Sequence, residues 1–266
     1  MTVALAPHDL PTRRFVEQVM GLPVTLALRG RHAHSVRASE VWHDIVAELV
    51  EVDQQYSTYR PESPISRIGR GQLLVEDGPD DLPEVLALAE QARVATGGAF
   101  DVWRTGDDGG RVFDPSGVVK GWALERAAER LLELDDTGWC LSGGGDLVCS
   151  AGPAHFPAWR VGIEDPGDPQ RLVAVVEVRD GGLATSGAAH RGDHIRDART
   201  GLAPTGVASV TVLADTLSAA DVEATCGFLM GERAADWLAT RPVRGAVVVP
   251  AGGGLLSVGT VPMAAP

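Results

Sequence analysis

Asp221 and Thr225 lie four residues apart in a stretch, 217–230, whose spacing predicts a helix. Positions i and i+4 share a helix face, so a carboxylate and a hydroxyl there present two hard oxygens to one point. Such donors suit Mg²⁺, which keeps waters and takes phosphate oxygens from a substrate. Upstream, the polar run Asp193-His194-Ile195-Arg196-Asp197-Ala198-Arg199-Thr200-Gly201 offers an imidazole able to take a proton from a hydroxyl. Each feature has a plainer reading. Ser218-x-x-Asp221 matches a loose capping box, in which the carboxylate only satisfies first-turn amides and Thr225 is a surface hydroxyl. Leu217, Ala220, Ala224 and Phe228 form the apolar face of this helix, with Asp221 and Thr225 at its edge, which suits either role. His194, flanked by Asp193 and Asp197, reads equally as a solvated surface ion pair, and His190 is a rival base.

A metal that grips phosphate needs a phosphate site, and three segments are candidates. Asp114-Pro115-Ser116-Gly117-Val118-Val119-Lys120-Gly121 enters a helix whose first N–H groups are unpaired and favour an anion. Lys120, the only lysine in the chain, would add a full positive charge there. The spacing is not that of a P-loop, and an ordinary helix start capped by Asp114 or Ser116 explains it as well. Ser142-Gly143-Gly144-Gly145-Asp146 reads as a hairpin turn or a close approach to ligand. Thr96-Gly97-Gly98-Ala99-Phe100-Asp101 reads as a helix C-cap or a ligand loop.

The elements that must position these residues follow from periodicity. Helical spacing marks 39–52, 82–95, 118–132, 217–230 and 233–239. Short β runs mark 24–28, 139–141, 147–150, 159–163, 172–178, 209–213, 245–249 and 256–261. Strands that do not alternate regularly with helices favour α+β over a doubly wound sheet. At 266 residues, with 44% hydrophobic and 22% charged residues and no long linker, one α+β domain with mixed or antiparallel strands and packed helices is the simplest organisation. Residues 1–18 are expected to be a poorly ordered or helical extension, with the domain covering 19–266.

A formal charge of -13 with scattered arginines argues against a nucleic-acid partner. Cys140, Cys149 and Cys226 form no CxxC pair and no even set, so they are expected as small core residues in a reducing compartment. Arg13-Arg14 resembles a twin-arginine start, yet the following stretch alternates like a strand and lacks a cleavage site. Neither a signal peptide nor a membrane span is expected.

Together these segments resemble the ApbE family, the FAD:protein FMN transferases, in order along nearly the whole chain. The matching segments are Met20-Gly21-Leu22-Pro23, the run from Tyr56-Ser57-Thr58-Tyr59 to Ser66, residues 96–101, 114–121, 143–146, 159–166, 184–187, 194–201 and 220–225. The resemblance implies Mg²⁺-dependent cleavage of the FAD pyrophosphate, transfer of FMN to a Thr or Ser hydroxyl of a target flavoprotein, and release of AMP. It implies Asp221 and Thr225 as side-chain metal ligands and the Gly117 carbonyl as a third. It places Met20, Tyr59, Ala99, Phe100, Asp101, Asp114, Lys120 and Ile195 at FAD, and His194 as general base. The amphipathic ring of Tyr59 suits a place against the flavin.

Three departures from the family pattern stand out. Ala198 replaces the usual Pro in the His194 loop, Pro115 replaces a common Leu, and Ser142 to Gly145 stand where many members have Asn-Ala-Gly-Gly. Many relatives are lipoproteins with a lipidated N-terminal Cys, and this chain has no Cys before Cys140, so a cytoplasmic setting is expected. The expected acceptor carries a Ser/Thr-Gly-Ala-Thr-like segment. The same residues would also serve a Mg²⁺-dependent FAD pyrophosphatase giving FMN and AMP, and a non-catalytic FAD-binding protein is a third reading.

Overall fold

Met20 holds a left-handed backbone, φ 55°, and with Gly21 turns the chain between its first two long strands. These are β2 (Thr12–Val19) and β3 (Leu22–Gly30), preceded by the two-residue β1 (Val3–Ala4). The computed structural model describes residues 3–4, 10–105, 109–189, 192 and 194–264. Helices α1 (Val36–Tyr56), α2 (Pro64–Gly69) and α3 (Leu82–Ala95) follow, then the short ribbon β4 (Trp103–Thr105) and β5 (Arg111–Phe113), and α4 (Ser116–Ala128). Next come β6 (Thr137–Gly143), β7 (Asp146–Ser150), β8 (Trp159–Asp165), β9 (Asp168–Val178), β10 (Asp180–Gly187) and β11 (Val207–Ala214). The chain closes with α5 (Leu217–Leu229), α6 (Ala234–Leu238), β12 (Gly245–Pro250) and β13 (Leu256–Gly259).

Eight strands form one sheet in the order β13-β12-β11-β10-β7-β6-β3-β2, and β1-β8-β9 form a second, smaller sheet. Every pairing among the described residues is antiparallel. The central strands of the large sheet are buried on both faces. Leu141, Val148, Val210, Val212 and Val248 face the helices, whereas Cys140, Leu147, Leu183, Leu213 and Val247 face Trp159, Val161, Val176 and Val178 of the small sheet. Burial on both sides explains why these strands read as unbroken apolar runs rather than alternating ones.

Helix α1 shows the physics of the helical layer. Ser35 caps it by accepting from the Ala38 N–H at 3.1 Å, and Ala38, Val41, Trp42, Ile45, Leu49, Val52 and Tyr56 line its buried side. Helix α5 differs from the expected one-sided helix. It packs on β10 and β11 as well as on α3 and α4, and is buried nearly all round. Asp221 is therefore not at a solvent edge but only 3% exposed.

The expected extension 1–18 is strand, not helix, over most of its described length. β2 pairs with β3 from Thr12↔Arg29 to Val19↔Leu22, and Phe15 stacks on Trp42 of α1 at 5.6 Å. As an edge strand with one side in water it carries charges that hide its β character. The expected helix over 118–132 ends at Ala128, after which Glu129–Glu133 tightens into a 3-10 turn. No described helix is long and apolar enough to cross a membrane.

Candidate active site

Helices α4 and α5 meet at Gly121. Its N–H donates to Asp221 Oδ2 at 2.9 Å. A Cβ at this glycine would lie 2.7 Å from Asp221 Cβ and 3.1 Å from the Leu217 carbonyl oxygen, so only glycine permits the crossing. The preceding residue, Lys120, sends its ammonium to Asp221 Oδ1 at 3.4 Å and, closer still, to Asp146 Oδ2. Asp146 opens β7 and is fully buried, and its Oδ1 accepts the Thr185 N–H of β10 at 2.9 Å. Burial, then the negative charge of Asp221, push the Asp146 carboxyl well above the usual carboxylate range, with Lys120 opposing them.

The capping-box reading of Asp221 is set aside by the geometry. Thr216 caps α5 by accepting from the Ala219 N–H at 3.2 Å. The Leu217 N–H and the Ser218 N–H, the latter at 3.0 Å, donate to Glu125 Oε2 on α4. Burial raises the Glu125 carboxyl while these two amides hold it down. Asp221 is thus free of its own helix start and faces the neighbouring helix. One turn on, Thr225 is half-buried with Oγ1 3.0 Å from Ser186 Oγ, which corrects its reading as a plain surface hydroxyl.

Among the described residues two buried carboxylates share a single ammonium, which leaves one negative charge in excess. In a low-dielectric site that excess calls for a proton or a cation. Carboxylate and hydroxyl oxygens are hard donors, so the residues present fit Mg²⁺. Among the described residues no group of three or more His, Cys, Asp and Glu is placed to hold a metal, so hydroxyl and carbonyl oxygens would have to complete such a site.

The remaining predicted residues fall into two groups. Asp114 Oδ1 accepts the Ser116 N–H at 3.1 Å, so Asp114 does serve the start of α4. The ring of Phe100 lies against Gly117 in the first turn of α4. Asp101 Oδ1 accepts the Trp103 N–H at 2.8 Å, and Ala99 is fully buried. The Thr96-Gly97-Gly98 turn does cap α3, with the Gly98 N–H donating to the Arg93 carbonyl at 2.8 Å.

The His194 loop docks on this same segment. The Ala198 N–H, which proline would lack, donates to the Ala99 carbonyl at 2.8 Å, and Arg199 reaches the Gly97 carbonyl at 3.4 Å. The Ala-for-Pro departure therefore adds a tether. Asp197 is held by Arg199, Nη2 to Oδ2 at 2.5 Å, which lowers its carboxyl and takes that residue from any pairing with His194. His194 is exposed with Nδ1 3.0 Å from the Gly192 carbonyl, a contact in which Nδ1–H donates, so that in the neutral ring Nε2 is the acceptor. Ile195 packs against the main core. Asp193 and His190 lie outside the described residues.

Tyr59 and Met20 stand apart. Tyr59 is 96% exposed beyond the end of α1, and Met20 sits half-buried at the β2–β3 turn. No hydrogen bond among the described residues joins either to the Lys120 cluster.

Asp146 lies in a glycine-rich candidate segment and Thr185 and Ser186 in a family-matching one, yet none of them, nor Glu125, carries an individual role in the sequence alone. A carboxylate opening the otherwise apolar run 146–149 was the signal for Asp146. Its significance depends on β7 lying beside β10 and under α4, which no local pattern reveals.

Fold and site together define an antiparallel α+β protein with a carboxylate-ammonium-carboxylate centre buried where two helices cross above a sheet. The sequence model of the ApbE family matches residues 20–106 and 105–248, and the chain belongs to that family. A FAD:protein FMN transferase of Treponema pallidum is 32% identical over 190 residues, 62% of this chain and 51% of the relative. One from Vibrio cholerae is 30% identical over 172 residues, 58% of this chain and 52% of the relative. The chain thus spans about half the length of these curated relatives. Among solved structures, the flavin transferase ApbE from Vibrio cholerae superposes with a TM-score of 0.77 at 21% identity, covering 96% of this chain and 98% of that one. The ApbE protein of Thermotoga maritima superposes with a TM-score of 0.76 at 19% identity, covering 93% and 97%. At these identities the structural matches establish the fold.

Proposed function

We propose that this chain is a Mg²⁺-dependent FAD:protein FMN transferase that joins FMN through a phosphoester to a Thr or Ser hydroxyl of a target flavoprotein. The observation that carries the proposal is the Asp221, Lys120 and Asp146 cluster, a buried site with excess negative charge and hard-oxygen donors in a chain of the ApbE family. Asp221, Thr225 and the Gly117 carbonyl would hold Mg²⁺, which when bound neutralises charge on the diphosphate.

Within that reading, the acceptor hydroxyl oxygen attacks the FMN-side phosphorus, the bond to the bridging oxygen breaks, and AMP leaves. His194 Nε2 takes the hydroxyl proton, since a neutral hydroxyl is a poor nucleophile. Lys120 offers positive charge to the diphosphate, and Met20, Tyr59, Ala99, Phe100, Asp101, Asp114 and Ile195 contact FAD. The chemistry is mainly positioning and charge neutralisation, as phosphoryl transfer requires.

The test is incubation with FAD, Mg²⁺ and an acceptor domain bearing a Ser/Thr-Gly-Ala-Thr-like segment, followed by mass spectrometry of the acceptor. One covalent FMN per acceptor, with matching AMP, supports the transferase. Rapid AMP release without any acceptor supports the pyrophosphatase, and FAD binding without turnover supports a carrier.

A further inference from the structure

Asp146 has no part in the chemistry just described, yet it is the nearer of the two carboxylates that share Lys120. Strand β10 fixes its orientation through the Thr185 N–H on Oδ1, which leaves Oδ2 to the ammonium. The ammonium stands 3.4 Å from Asp221 Oδ1, so it and a divalent cation draw on the same carboxylate. Without the Asp146 charge the pull on the ammonium is no longer divided between the two carboxylates, and an ammonium drawn onto Asp221 neutralises it.

We propose that Asp146 is a positioning residue that holds Lys120 to itself, keeping Asp221 available to a divalent cation and the cluster negative enough to bind one. This rests on reading Asp221 as a metal ligand. Two substitutions then act in opposite directions. Asp146→Asn keeps an oxygen for the Thr185 N–H but puts a neutral NH2, a donor, where the charged acceptor held Lys120, so it weakens metal binding. Lys120→Met removes the competing ammonium at similar length, so it strengthens metal binding.

The experiment uses the full chain, stripped of metal and without FAD, and titrates Mn²⁺ by electron paramagnetic resonance beside thermal unfolding with and without Mg²⁺. Asp146→Asn is expected to weaken Mn²⁺ binding by about tenfold to a hundredfold, the scale of one neighbouring charge on an ionic equilibrium. Its metal-free Tm is expected not to fall while the rise on adding Mg²⁺ shrinks. Lys120→Met is expected to bind Mn²⁺ more tightly than the wild type, and decides the matter should Asp146→Asn fail to fold.

The proposal is overturned if Asp146→Asn binds Mn²⁺ as the wild type does, or if its metal-free Tm falls while the Mg²⁺ response stays whole. Weaker binding by Lys120→Met also overturns it. A wild type that binds no Mn²⁺ removes the metal reading of Asp221 itself, and the inference with it.

Discussion

The Gly121 N–H donates to Asp221 Oδ2 at 2.9 Å, so the backbone of the helix that carries Lys120 also orients the carboxylate on the neighbouring helix. Gly121→Ala would press a methyl group onto Asp221 Cβ and the Leu217 carbonyl oxygen. Overpacking of this kind costs about 1–3 kcal/mol. Urea unfolding of the variant is expected to show that loss together with reduced transfer, and an unchanged midpoint contradicts the packing account.

His194 Nε2 is expected to remove the acceptor proton. His194→Ala should slow FMN transfer by about 10²–10⁴, the usual share of a general base, with FAD affinity nearly unchanged. Single-turnover kinetics and fluorescence titration of FAD separate the two effects. Unchanged transfer assigns the proton to another group.

Burial and Asp221 raise the Asp146 carboxyl in the folded protein. The unfolded chain therefore gives up this proton first, so the metal-free protein loses stability as pH rises from the ordinary aspartate range toward the raised folded value. Asp146→Asn should flatten that slope. Denaturant unfolding across acid to neutral pH, without divalent ions, measures it, and parallel wild-type and variant curves contradict the assignment.

All three cysteines are buried and unpaired, with Cys140 and Cys149 directly opposite each other on β6 and β7. Burial pushes the Cys140 thiol up to about 12 and lifts Cys149 and Cys226 as well. A thiol reagent at neutral pH is expected to label none of them in the folded protein and all of them in denaturant. Labelling of the native chain contradicts the packing of both cores.

What could be read from the sequence was mainly what depends on local spacing. The bounds of α3 coincide with its periodicity because Pro83 enters the first turn and Gly97 with Gly98 ends the helix. The i and i+4 placement of Asp221 and Thr225 was legible for the same reason. β10 was not, because Gly181 and Gly182 suggest a turn. In the fold Gly182 makes room for α5, and a Cβ there would lie 2.3 Å from Leu217 Cα. Asp146 and Ser186 acquire meaning only when β7 and β10 pair beneath α4 and α5. The Ala198 tether was invisible for a related reason, since its acceptor, Ala99, is remote in sequence.

The most direct measurement is the mass of an acceptor domain after incubation with FAD and Mg²⁺, using the wild type and Asp221→Ala in parallel. The account predicts a covalent FMN on the acceptor from the wild type and none from the variant. Equal flavinylation by the two proteins would contradict it.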